Sequence, residues 1–234
     1  MKKIKLLLII FIIILVNLSV FSLKGSGTLK SETRNLTAFH SIKLNCNANL
    51  KITQGPTQKV EVKIDDNLLD SLKTEVNRGE LTIALVGIIT NITQIDIEIV
   101  MENIDNLTVN GAGNIELMNN AKTENLNLFI NGSGTIKLRI DANFIFSKVF
   151  GSGIITLFGS TKNEEVEING SGEVSALNLI TDSLKATLGG SGICRVNVNN
   201  LIDLKINLGG ELEYKGTPKI EAKVTGSGSI KYLN

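Results

Sequence analysis

From about residue 40 onward, apolar and polar positions alternate along the chain, and glycine interrupts the alternation at regular intervals. Apolar residues fall at Leu107/Val109, Leu126/Leu128/Ile130, Val166/Ile168, Leu184/Ala186/Leu188, Leu204/Ile206/Leu208 and Ile220/Ala222/Val224, with polar residues mostly between them. A period of two is that of a β-strand with one face buried and one solvated. Each run leads into a Gly-small-Gly triplet. After the triplet the second and fourth positions are apolar again: Ile115/Leu117, Ile136/Leu138, Ile155/Leu157, Val174/Ala176, Cys194/Val196 and Ile230/Tyr232. Short polar stretches such as Ser160-Thr-Lys-Asn163 read as the turns that close each unit.

The triplets are Gly111-Ala112-Gly113, Gly132-Ser133-Gly134, Gly151-Ser152-Gly153, Gly170-Ser171-Gly172, Gly190-Ser191-Gly192 and Gly226-Ser227-Gly228. Their spacings are 21, 19, 19 and 20 residues, then 36, and the long gap holds a degenerate copy, Gly209-Gly210-Glu211. An outlying copy is Gly25-Ser26-Gly27. One such unit cannot bury its apolar face alone, whereas stacked units can. Coils of about 20 residues at about 3.3 Å per residue close around a narrow core. The expected fold is therefore all-β, a right-handed parallel β-helix. The triplets mark a repeated bend where a Cβ does not fit or φ is positive. Their serines, stacked about 4.8 Å apart, are expected to form a hydrogen-bonded ladder. A propeller blade needs about 40 residues, and a sandwich does not account for regular triplets.

Residues 28–100 are less regular. Strands are expected around Val60/Val62/Ile64, Leu81/Ile83/Leu85 and Ile95/Ile97/Ile99, with a tight turn at Arg78-Gly79 and a helical turn carrying Leu68, Leu69 and Leu72. No linker separates this part from residues 101–234. A single domain over 23–234 is expected, with 28–100 as its first coils or its cap. Residues 1–22 have a basic start, an apolar run from Leu6 to Val16 and small residues at Ser19 and Ser22. That is the layout of a signal peptide. The alternative is an uncleaved anchor, the only route by which this chain would meet a membrane, and the apolar run is short for it against the roughly 20 residues of a span.

These segments together resemble a known family, the head GIN domain labelled putative auto-transporter adhesin. The carriers are Gly25-Ser-Gly27, Arg34-Asn-Leu-Thr-Ala-Phe39-His-Ser-Ile42, Leu50-Lys-Ile-Thr-Gln-Gly55, Leu72-Lys-Thr-Glu-Val76 with Gly79-Glu-Leu81-Thr-Ile83, the triplet array, and Gly209-Gly-Glu-Leu-Glu-Tyr214-Lys-Gly216-Thr-Pro218. The resemblance covers roughly residues 25–234. It implies an exported β-solenoid of a Gram-negative bacterium, in the periplasm, on the outer surface or secreted, and it carries over no catalytic residue.

Composition narrows the chemistry. Lysine plus arginine number 24 against 23 acidic residues, a net charge of +1 that becomes −2 without the three leader lysines. No concentrated basic face for nucleic acid is expected. There is no Trp, and His40 is the one histidine, so metal and Ser-His-Asp chemistry are disfavoured. No cofactor is expected. The triplets run on into strands rather than opening a helix, unlike a dinucleotide fingerprint, and lack the Asp of calcium-binding nonapeptides. His40 reads as a partly exposed structural residue, and Arg34 as an ion pair tying down the first strand. Cys46 and Cys194 both fall on apolar phases and read as buried free thiols. The acidic clusters are Asp65-Asp66, Asp96/Glu98, Glu164-Glu165/Glu167 and Glu211/Glu213. The Glu164 cluster reads as a solvated edge. The expectation is a non-enzymatic envelope binding module, whose partner is a cell-surface glycan or an envelope protein. A β-helix lyase or hydrolase, with carboxylates converging in a groove, is the alternative. Self-association through the solenoid ends is a third reading.

Overall fold

The structure is a computed structural model that describes residues 22–234. The leader expected over 1–22 therefore lies, Ser22 apart, outside the described residues. The chain winds into a β-solenoid of about seven turns. Each regular coil has three sides. In one coil the first side ends at Gly151, the triplet Gly151-Ser152-Gly153 makes the bend, and Ile154–Leu157 starts the second side. A third side follows through Gly159–Asn163.

Successive coils pair in parallel and in register, so one sequence phase becomes one column. Leu107, Leu128, Ser147, Val166, Ala186 and Leu204 stack in an inward column, as do Val109, Ile130, Val149, Ile168, Leu188 and Ile206. On the second side the column is Ile115, Ile136, Ile155, Val174, Cys194 and Leu212. Apart from Ser147, a buried polar residue, these residues belong to one continuous hydrophobic core. Full burial of each Val, Leu or Ile side chain among them is worth about 1.5–3 kcal/mol.

The third side corrects an expectation. Ser160-Thr-Lys-Asn163 is not a turn, because the strand runs unbroken through Ile154–Gly170. Ser160, Thr161 and Asn163 pair with Asp141, Ala142 and Phe144 on one side and with Ile180, Thr181 and Ser183 on the other. Buried Thr161 and Thr181 point inward. β-Branched threonine keeps strand geometry there.

The triplet bend has two different steric causes. Gly151 has φ of +119°, and a Cβ on it would lie 2.5 Å from the Gly132 carbonyl oxygen one coil away. Gly153 is buried, and its Cβ would meet Ile130 Cγ2 at 2.4 Å. The serine ladder does not form. The triplet serines are exposed, and their backbone N–H groups carry the stacking instead, Ser152 donating to the Gly132 carbonyl and Ser171 to that of Gly151, each at 2.9 Å. Hydroxyls on the outside of a bend face water and have no need of each other.

The coils at the N-terminal end are not stacked in chain order. Ser41–Asn45 pairs in parallel with both Glu80–Leu85 and Asn106–Gly111, and Asn49–Gln54 with both Asp96–Met101 and Asn114–Leu117. The coil of residues 41–54 thus lies between two later ones. Beyond the outermost coil the strands turn antiparallel: Lys59–Asp65 against Asp96–Met101, Leu29–Thr33 against Lys59–Asp65, and Leu72–Asn77 against Glu80–Leu85. Arg78 and Gly79, both at positive φ, make the last of these hairpins. The expected helical turn is a short 3-10 turn, Asp66–Leu68, and buried Leu68, Leu69 and Leu72 close this end of the core. Gly25-Ser26-Gly27 belongs to this end and not to the glycine column. Gly27 N–H donates to Asp65 at 2.7 Å and the Ser26 hydroxyl to Asp66 at 2.6 Å.

Glu164 is the main correction in the core. It is not on a solvated edge: it is buried in the column Leu126, Ile145, Glu164, Leu184, Ile202. The phase was present in the sequence, because Glu164 shares parity with inward Val166 and Ile168. Thr181 Oγ1 donates to its Oε2 at 3.0 Å, while its Oε1 and the nearby-phase Ser147 Oγ have no partner. Burial pushes the Glu164 carboxyl up from 4.5 to about 7, against the opposing pull of the Thr181 hydrogen bond.

Two predictions follow from this packing. Gly151→Ala and Gly153→Ala should each destabilise by roughly 2–4 kcal/mol through strain and overpacking, whereas exposed Ser152→Ala should stay within about 0.5 kcal/mol; urea midpoints measure all three. For Glu164, the native state keeps a proton between pH 4.5 and 7 that the unfolded chain has lost. Stability should therefore fall as pH rises across that window, by about 3 kcal/mol in total. Glu164→Gln should remove that component, so the difference between variant and parent in urea midpoint grows from pH 5 to pH 8; an unchanged difference would contradict a buried neutral acid.

Candidate recognition surface

The same register that builds the core builds rows on the outside. One row is Asn45, Asn110 and Asn131: Asn110 Nδ2 donates to Asn45 Oδ1 at 2.7 Å, and Asn131 Nδ2 to Asn110 Oδ1 at 2.9 Å. A second is Ser41, Asn106 and Asn127, joined at 2.8 and 2.9 Å. A third runs from Asp96 through Asn49 and Asn114 to Thr135, joined at 3.2, 3.1 and 2.8 Å. An amide in such a row uses one N–H and one carbonyl lone pair along the row. Its second N–H and second lone pair remain for a ligand. The ladder expected of the serines is thus carried by asparagines.

The second of these rows borders a polar groove of about 860 Å³. Asp105, Asn106 and Asn127 come from the first side of the coils, and Lys122, Glu124, Asn125, Asp141 and Asn143 from the third. Each carboxylate has a neighbour that orients it. Asp105 faces His40 Nδ1 at 2.9 Å, Asp141 accepts from the Ser160 hydroxyl at 2.6 Å, and Glu124 accepts from Asn143.

Aromatic residues lie beside the groove. Six of the eight phenylalanines are in the described residues, and Phe39 alone of these is in the core. Phe129, Phe144, Phe146 and Phe158 are half-buried and Phe150 is 62% exposed. All five lie within residues 129–158. In register, Phe144 pairs with Asn125 and Phe146 with Asn127, both of which line the groove. Phe129 and Phe146 meet edge to face with ring centroids 5.7 Å apart. The Arg139 guanidinium lies 5.1 Å over the ring of Phe158, near enough for a cation–π contact. Composition alone, with 4% aromatic residues, does not reveal this concentration. The signal was their phase, since Phe129 sits between inward Leu128 and Ile130, and Phe146 between inward Ile145 and Ser147.

A second groove, of about 490 Å³, gathers Glu61, Asp96, Glu98 and Glu116 with Lys51 and Lys63. Its charges follow from register: Glu61 is opposite Glu98, Glu98 opposite Lys51, Lys51 opposite Glu116, and Glu116 opposite Lys137. Lys59 holds Glu61 and Lys137 holds Glu116, each at 2.8 Å. Opposite charges on facing strand positions, as Lys51 with Glu98 and Glu116, stabilise sheets by a few tenths of a kcal/mol to about 1 kcal/mol, whereas Glu61 and Glu98 are like charges facing each other, with Lys59 on Glu61.

The remaining candidates from the sequence are dispersed. Glu165 pairs with Lys185 at 2.8 Å and Glu167 with Lys148 at 2.6 Å. Glu213 lies between Arg195 and Lys231, and the Lys231 hydrogen bond leads the effects holding its carboxyl below the usual range. Buried Asp65 accepts from Thr93 N–H, Thr93 Oγ1 and Gly27 N–H, and the Thr93 backbone bond leads in holding its carboxyl low. Arg34 pairs with Glu32 at 3.0 Å and donates to the Leu69 carbonyl at 2.8 Å, tying the N-terminal strand to the closing turn. Cys46 and Cys194 are free and buried, and burial pushes both thiols up, Cys46 to about 11. Among the described residues, no three of His, Cys, Asp and Glu come together as metal ligands.

The sequence profile described as "Putative auto-transporter adhesin, head GIN domain" matches residues 38–218. Three crystal structures are similar in fold. A "putative adhesin" from Bacteroides fragilis superposes with a TM-score of 0.86 at 22% identity, covering 91% of this chain and all of that one. A "putative lipid binding protein" from Parabacteroides distasonis gives 0.74 at 22% identity, over 92% of this chain and all of that one. A "putative adhesin" from Parabacteroides merdae gives 0.75 at 19% identity, over 91% and 99%. No curated protein matches the chain in sequence.

Proposed function

We propose, from the premise that the chain belongs to the family described as "Putative auto-transporter adhesin, head GIN domain", that it is an exported, non-enzymatic recognition module that binds glycans along the side of its solenoid. The observation that carries this reading is the placement of the aromatics. Phe39 is the one aromatic of the core among the described residues, yet Phe144 and Phe146 sit outside it, in register with two residues of a groove lined by asparagines and carboxylates, and Phe129 packs on Phe146. Exposing aromatic rings costs burial free energy, so a cluster of them beside oriented polar groups suits a ligand with both C–H faces and hydroxyls. A sugar has both. Ring faces pack on its C–H groups, and amides and carboxylates bridge neighbouring hydroxyls. The groove is net acidic, which disfavours phosphate and sulfate ligands and suits a neutral glycan.

The second reading, a carbohydrate-active enzyme, has one observation in its favour: the convergence of Glu61, Glu98 and Glu116 with Lys51 and Lys63. Lys51 facing both Glu98 and Glu116, and Lys63 facing Asp96, account for most of that arrangement without catalysis. Export fits the leader-like segment and the family.

Screening the purified protein on a glycan array, with product analysis of the positive glycans and a liposome control, separates these readings. Saturable binding to a neutral glycan without products is expected. Phe146→Ala should weaken it about tenfold, the worth of one stacked ring, in a variant that thermal melts show to be folded. Release of oligosaccharides that is lost in Glu98→Gln would replace this reading with the enzymatic one. Binding to liposomes alone would replace it with a lipid-binding one.

A further inference from the structure

The two ends of the solenoid differ. At the N-terminal end, antiparallel strands and the buried leucines of residues 68–72 close the core. At the other end, Lys219–Val224 and Ser229–Tyr232 each have, among the described residues, a strand partner on one side only, within the preceding coil. Their inward positions extend the core columns, Ile220 from Ile202, Ala222 from Leu204, Val224 from Ile206 and Ile230 from Leu212. Yet Val224 is 42% exposed, Ile230 37% and Tyr232 53%. The end is a bare cross-section of core, rimmed by free backbone hydrogen-bonding groups.

We propose that this end is the interface of a homodimer, two copies joined end to end about a twofold axis through Ala222. The opposite end, its core capped by Leu68, Leu69 and Leu72, offers no matching apolar face for head-to-tail growth, which points to the same end of a second copy as a self-complementary partner. Register then favours this pairing over its neighbours two residues away. An antiparallel partner keeps inward residues inward only if facing positions have the same parity. With Ala222 opposite Ala222, Ile220 faces Val224 and Glu221 faces Lys223, twice by symmetry. Sliding by two residues either way sets Glu221 against Glu221 or Lys223 against Lys223, and like charges facing across strands are destabilising. The helical ramp fits the same axis. Successive sides of a coil rise by about a third of the roughly 4.8 Å strand spacing. A twofold axis through the side holding Lys219–Val224 brings the higher Ser229–Tyr232 of each copy over the lower residues 215–218 of the other. Such a dimer carries two lateral grooves, and the inference does not depend on what those grooves bind.

Sedimentation velocity of the purified protein over a range of concentrations tests the proposal, with Val224→Lys, Glu221→Lys, Lys223→Glu and the double charge swap compared. Thermal melts check that each variant folds. A reversible monomer–dimer equilibrium is expected. Val224→Lys and each single swap should weaken it at least tenfold, and the double swap should restore it. Ala222→Cys should be captured as a covalent dimer by a short bis-maleimide, while Ser171→Cys on the lateral bend should not; native Cys46 and Cys194 are buried. A protein that stays monomeric, a dimer indifferent to Val224→Lys and to the swaps, or open-ended oligomers would each overturn it.

Discussion

Each coil of this protein must lie on its neighbour at the separation of hydrogen-bonded strands, about 4.8 Å, with the same sequence phase over the same phase. That requirement accounts for the glycines of the bend. Where the chain turns from the first side to the second, the carbonyl of Gly132 lies against the place where Gly151 would carry a Cβ, and Ile130 fills the place where Gly153 would. The bend stacks because nothing projects from it. Once the bends stack, the sides between them are held in register for the length of the fold.

Register then multiplies every residue choice. An apolar residue in an inward phase becomes a column of core, and an asparagine in an outward phase becomes a rung of an amide row. A lysine facing a glutamate becomes one link in a chain of ion pairs. The same multiplication isolates errors of type. Glu164 interrupts an aliphatic column, and its neighbours there have nothing to offer a carboxylate; the single hydrogen bond from Thr181 cannot offset burial. A buried acid in a repeat costs stability at neutral pH, and no contact in the fold makes use of it.

The lateral surface and the open end express one geometry in two directions. Along the side, coil spacing lines up amides and places rings beside them. On the last described coil, the columns and hydrogen bonds that would meet another coil face outward. The N-terminal end meets the same problem by turning strands antiparallel and tucking Leu68, Leu69 and Leu72 over the core.

The sequence by itself determined the local half of this fold. Alternation stated which residues face inward, and Glu164 and the phenylalanines obey it even where the polar run around Glu164 suggested an edge. The triplet spacing stated the coil length and the position of the bend. What alternation could not state is which strand lies beside which. The insertion of residues 41–54 between two later coils, the strand that replaces the turn at residues 160–163, and the meeting of Asn125, Asn127, Phe144 and Phe146 at one groove are pairings between residues far apart in the chain. Those depend on which combination of strands buries the most surface and satisfies the most backbone groups at once. That sum is taken over the whole structure, so only the tertiary fold decides it.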